Sequence, residues 1–121
     1  MDGQTVAAAL DEATADARAR LASLRRDLAA IIEASDTASD DEHDPEGTTA
    51  FERAQVQALI DATVEQLHDL DDARGRLHAG DYGVCEVCAA PIDPDRLAAR
   101  PMARTCIACA RRAGRPARAA F

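Results

Sequence analysis

A chain of 121 residues with a formal net charge of −8 is long enough for one domain and an appendage, not for two cores. Hydrophobic residues make up 47% of it, but many are alanine and the aromatics are Phe51, Tyr82 and Phe121, which excludes a large globular core and points to long helices. No Asp or Glu follows Asp95, whereas seven arginines from Arg96 to Arg118 do, and this acidic front argues against nucleic acid as the main partner.

The opening Met1-Asp2-Gly3-Gln4 lacks the basic and apolar regions of a signal peptide, and no stretch approaches the roughly 20 apolar residues of a membrane span. A cytosolic protein without a membrane partner is expected. In that compartment thiols stay reduced, so Cys-x-x-Cys pairs are read as metal ligands or redox dithiols rather than structural disulfides.

From about Thr5 to Ser35, the positions Ala7, Leu10, Thr14, Ala17, Leu21, Leu24, Leu28 and Ile31 alternate steps of three and four. That spacing predicts a helix with a heptad seam. A second seam, Val56, Ile60, Thr63, Leu67, Leu70 and Leu77, runs from about Ala50 to Ala79, with Leu59 and Ala73 widening its apolar face and Arg74 interrupting it. Thr49 and Glu52 have the spacing of a capping box at its start, and Gly80 supplies a stop. Phe51 is expected to pack across the hairpin.

Between the seams, Asp36 to Thr48 carries the helix breakers Pro45 and Gly47. Neither helix can bury its stripe alone, so the two should fold back antiparallel, each roughly 45 Å long. A monomer is expected, with assembly of the seams into a multichain bundle as the alternative. The expected fold class is all-α dominated: a long antiparallel two-helix coiled-coil hairpin over residues 1–80 with an acidic tip loop at 36–48, followed by a small four-cysteine zinc-finger module at 81–110. Residues 111–121 form a basic C-terminal tail.

The pairs Cys85, Cys88 and Cys106, Cys109 are separated by seventeen residues, inside the range of four-cysteine zinc sites. Two-residue spacers let both thiolates of a pair reach one metal, and four thiolates complete a tetrahedron. A filled shell leaves no position for an activated water, so one structural Zn2+ is expected rather than a catalytic one. Oxidative ejection of that zinc is a competing redox role. No Ser-His-Asp set or Gly-rich phosphate loop is visible, and no enzyme is expected. His43, amid the tip carboxylates, is a candidate for a second metal, but a loop offers it no fixed geometry. Tyr82 should pack between the helix end and the zinc knuckle.

The run Gly80-Asp81-Tyr82-Gly83-Val84-Cys85-Glu86-Val87-Cys88, then Ile92, then Arg96-Leu97-Ala98-Ala99-Arg100-Pro101, then Cys106-Ile107-Ala108-Cys109 resembles the zinc finger of the DksA/TraR family. The hairpin before it extends the resemblance over roughly residues 5 to 110. The resemblance implies a bacterial transcription regulator that binds RNA polymerase rather than promoter DNA, inserting its coiled-coil tip through the secondary channel toward the active centre. It gives a role to the carboxylates of the loop, which alone reads as a solvated turn: Asp41 and Asp44 match the family's Asp-x-x-Asp-x-Ala tip, while Glu46 stands where alanine belongs. Arg96 and Arg100 are the implied polymerase-anchoring residues. In alarmone-responsive members guanosine tetraphosphate is held by a second-helix lysine, the second arginine of the Arg-Leu-x-Ala-Arg-Pro stretch and a lysine after the last cysteine. Here Arg100 matches, Ala110 follows Cys109, and the chain contains no lysine. The alternatives are a zinc-ribbon nucleic-acid binder using Arg111 and Arg112, and a coiled-coil scaffold.

Overall fold

The computed structural model describes residues 3–37 and 48–114. Four helices follow in order: α1, Gly3–Thr37; α2, Thr48–Ala79; α3, Pro94–Ala99; and α4, Ile107–Ala113. Among the described residues the only β pairing is an isolated antiparallel bridge between Val84 and Pro91. The fold is helical, as the two heptad seams predict.

Two compact units divide the chain, one of Met1–Ala13 with Asp69–Phe121, the other of Thr14–His68. In the second unit, Ala17 and Leu21 of α1 and Ile60 and Thr63 of α2 are buried, and Arg20 Nη1 donates to Gln66 Oε1 at 3.1 Å between the antiparallel helices. Threonine is tolerated in this seam because its hydroxyl donates to the Leu59 carbonyl one turn back at 2.7 Å, which satisfies a polar group that burial would otherwise leave without water.

In the first unit, the helical core comprises Val6, Leu10, Leu70 and Ala73, with Leu10 and Leu70 almost completely enclosed. Here the buried stripe of α2 passes through Ala73, while Arg74 turns aside and pairs with Asp11 of α1.

Two expectations are corrected. Leu59 is 55% exposed and Phe51 63% exposed; both lie off the stripe set by Val56, Ile60 and Thr63, so neither widens the core nor packs across it. Helix α2 begins at Thr48, one residue before the Thr49 at which the capping-box spacing starts. The stop at Gly80 is as expected: its φ is +85°, its N–H donates to the Leu77 carbonyl at 3.2 Å, and Asp81 N–H donates to the Arg76 carbonyl at 2.9 Å. This is a Schellman closure, which needs the left-handed residue that glycine supplies.

Leu70→Ala is expected to destabilise the protein by about 2–5 kcal/mol through lost burial and a residual cavity, whereas Leu59→Ala should stay within about 0.5 kcal/mol. Urea denaturation followed by circular dichroism distinguishes the two. In mid-α2, Gly75 has open space where a Cβ would stand, so Gly75→Ala is expected to raise stability by about 0.5–1 kcal/mol by the same measurement.

Candidate metal centre

The first cysteine pair sits in a tight turn. Cys85 N–H donates to the Ala90 carbonyl and Ala89 N–H to the Cys85 carbonyl, both at 2.8 Å, while Ile92 N–H closes on Gly83 at 2.8 Å. Two left-handed residues make these bends, Gly83 at φ +85° and Ala89 at φ +65°. Glu86 N–H then reaches the Arg104 carbonyl at 2.9 Å, tying the first turn to the strand of chain that enters the second cysteine pair.

Between the pairs, α3 is short and well begun. Asp93 caps it by accepting from Asp95 N–H at 2.9 Å, and Pro94 occupies a first-turn position where no donor is required. The helix buries Leu97 and ends where Arg100 N–H donates to Arg96 at 2.7 Å. Cys106 then stands at the cap position of α4, and Cys109 is buried on that helix.

All four sulfurs of Cys85, Cys88, Cys106 and Cys109 lie within 4.8 Å of one another. Sulfurs bound at about 2.3 Å to the corners of a tetrahedron are about 3.8 Å apart, and the Cys88–Cys106 sulfur separation is 3.8 Å. Four soft thiol donors and no carboxylate match zinc. The residues present therefore fit one structural Zn2+, which would be held by these four thiolates and would supply cross-linking rather than chemistry.

The thiols differ in their surroundings. Backbone N–H groups, that of Cys88 foremost, favour the Cys85 thiolate and bring its pKa down to about 6 against the opposing effect of burial. The Cys109 backbone N–H likewise lowers Cys106. At Cys109 the Arg112 guanidinium pulls downward, but burial and the three neighbouring sulfurs outweigh it and push the thiol up to about 11. Crowded thiolates repel one another until a cation sits among them.

Around the centre the apolar core is small: Cys85, Ile92, Leu97, Ala103 and Cys109, with Tyr82 and Cys106 against it. Tyr82 fills the expected place, its hydroxyl donating to the Pro101 carbonyl at 2.8 Å. Residues that the spacing of the motifs does not reveal join the module to α2. Arg104 Nη2 lies 3.3 Å from Asp69 Oδ1 and also pairs with Asp72, and Arg76 Nη2 donates weakly to the Met102 carbonyl at 3.4 Å. Asp69 and Asp72 share a helix face by their spacing of three, but that signal does not say which arginine meets them.

Of the two arginines expected to anchor a partner, Arg96 is half-buried and donates through Nε to the Thr105 carbonyl at 2.9 Å. Arg100 is exposed. Both line an open groove of about 320 Å3 with Asp93, Ala99 and Ile107. Asp41, Asp44 and Glu46, with His43, lie outside the described residues.

Fold and centre together define a helical-hairpin protein with a four-cysteine zinc finger. Residues 80–113 match the family described as prokaryotic dksA/traR C4-type zinc finger. The whole fold is similar to that of the transcription factor DksA2 from Pseudomonas aeruginosa, with a TM-score of 0.76 and 24% identity over 98% of this chain and 89% of that one. An uncharacterised protein of Aquifex aeolicus is 31% identical over 64 residues, 53% of this chain, and the chain spans 44% of that protein's length. No described helix is long and apolar enough to cross a membrane.

Zinc held here would have to displace the proton of Cys109, whose thiol is pushed up to about 11, whereas Cys85, brought down to about 6, would enter as a thiolate at little cost. The logarithm of the apparent zinc affinity is therefore expected to rise by about one or more per pH unit between pH 7 and 8. Chelator competition at several pH values measures this slope, and a flat profile would mean that all four thiols enter as thiolates.

Proposed function

We propose that this chain is a bacterial transcription regulator that binds RNA polymerase through its secondary channel. It acts in the cytoplasm, carries out no reaction of its own, and modulates initiation by presenting an acidic segment, with Asp41, Asp44 and Glu46, to the polymerase active centre. One observation carries the reading: a finger of the DksA/TraR type at residues 80–113 follows a helical hairpin, in a chain whose fold is similar over 98% of its length to that of a transcription factor.

The chemistry of the parts supports it. Six carboxylates fall within the eleven residues from Asp36 to Glu46, and their mutual repulsion is a cost to the free protein that a cationic or metal-bearing partner surface would relieve. The exposed Arg100 supplies a cation for a partner's acidic group. Arg96 contributes to the same surface chiefly by holding Thr105 in place. Guanosine tetraphosphate forms no part of this reading, because the chain contains no lysine, Ala110 follows Cys109, and Arg100 is the match to the family's set. The competing nucleic-acid reading relies on Arg111 and Arg112, and it is weakened by the contact of Arg112 with Cys109.

Transcription in vitro with the cognate polymerase tests the proposal, comparing the native protein, an Asp41→Asn, Asp44→Asn double variant, and Arg100→Ala. The double variant is expected to bind polymerase within about threefold of the native protein while losing most of its effect on initiation, since removing charge at the active centre leaves the other contacts intact. Arg100→Ala should weaken binding itself. A native protein that neither binds polymerase nor alters initiation overturns the assignment, and a double variant that acts like the native protein overturns the role of the two aspartates.

A further inference from the structure

Arg112 lies three residues beyond Cys109, about one turn along α4, so both side chains share a helix face. Its Nη2 stands 3.0 Å from Cys109 Sγ, within hydrogen-bonding reach of sulfur. The other buried sulfur, Cys85, is served by the backbone N–H groups of Cys88, Cys106 and Val87, and Cys106 by the backbone N–H of Cys109. Such donors come with the turns that the Cys-x-x-Cys spacing creates. For Cys109, among the described residues, the recorded donor is a side chain, and with Cys109 only 4% exposed little water is available to take its place.

Charge points the same way. Four thiolates around a dication leave a formal excess of two negative charges, and the Arg112 guanidinium also feels the sulfurs of Cys106 and Cys88. Two other cations of the module are engaged elsewhere, Arg96 on Thr105 and Arg104 on Asp69 and Asp72. Partners that hydrogen-bond to metal ligands fix their orientation and hold the metal.

We propose that Arg112 is a positioning residue of the zinc centre: its guanidinium donates to the Cys109 thiolate, offsets the excess negative charge, and slows loss of the metal. The segment that the sequence marks as a basic tail, residues 111–121, thus begins with a working part of the finger. Neighbouring Arg111, exposed on the same helix, provides the matched comparison, because its replacement removes the same charge from the chain without touching Cys109.

The full-length zinc-loaded protein is mixed with excess 4-(2-pyridylazo)resorcinol, and the rate of zinc transfer is read by absorbance for the native protein, Arg112→Gln, Arg111→Gln and Arg112→Lys, with helical content checked by circular dichroism. Arg112→Gln is expected to release zinc about tenfold faster, the lower end of what loss of such a partner costs. Arg111→Gln should stay within about twofold of the native rate, and Arg112→Lys should recover most of the slow release because it keeps the charge. Equal rates for Arg112→Gln and Arg111→Gln overturn the proposal, as does Arg112→Lys releasing zinc as fast as Arg112→Gln. If Arg112→Gln purifies without zinc, its zinc content is compared with that of Arg111→Gln: loss of zinc from the former alone supports the proposal, and loss from both overturns it.

Discussion

The structure depends on four thiolates being brought to one point. A segment of about thirty residues has too little apolar surface to order itself, and here the buried core of the module amounts to five side chains, two of which are cysteines of the centre. Metal binding in such a module is folding free energy, on the order of 10 kcal/mol. Every local feature between Gly80 and Cys109 can be understood as a bend that delivers sulfur: the glycine stop of α2, the left-handed turns at Gly83 and Ala89, the capped start of α3, and the cap position given to Cys106.

Acidic residues of the helical part face basic residues of the module or of the partner helix, as with Asp69 and Asp72 on Arg104 and Asp11 on Arg74. Pairs this exposed contribute little stability one by one. Their value lies in orientation, since Arg104 carries the chain that leads into Cys106, and its backbone carbonyl also receives the Glu86 N–H from the first turn. A basic C-terminal region that looks available for phosphates is thus partly committed inside the protein, with Arg96, Arg104 and Arg112 each holding a piece of the module.

A saturated shell of sulfur also separates structure from activity. The finger has no open coordination position for a substrate, and the proposed activity lies in the carboxylates between the two long helices. The finger also exposes large apolar side chains, among them Val84, Val87 and Ile107.

The chain's own pattern determined much of this. The Cys-x-x-Cys spacing identified all four ligands, because two thiolates of one tight turn reach one metal wherever that turn occurs. The steps of three and four placed Leu10, Ala17, Leu21, Ile60, Thr63 and Leu70 in the buried stripes, because a helix converts sequence spacing into a face without reference to anything else. Only the tertiary structure decided matters of partnership and packing. Ala73 was legible as part of the apolar face and is buried, but Leu59 and Phe51 were left exposed, since which flank of a stripe meets the other helix depends on how the helices pack. Fourteen arginines look alike in the sequence; which of them reaches Asp72, Thr105 or Cys109 is fixed by the folded path of the backbone, a non-local quantity that no short window of residues contains.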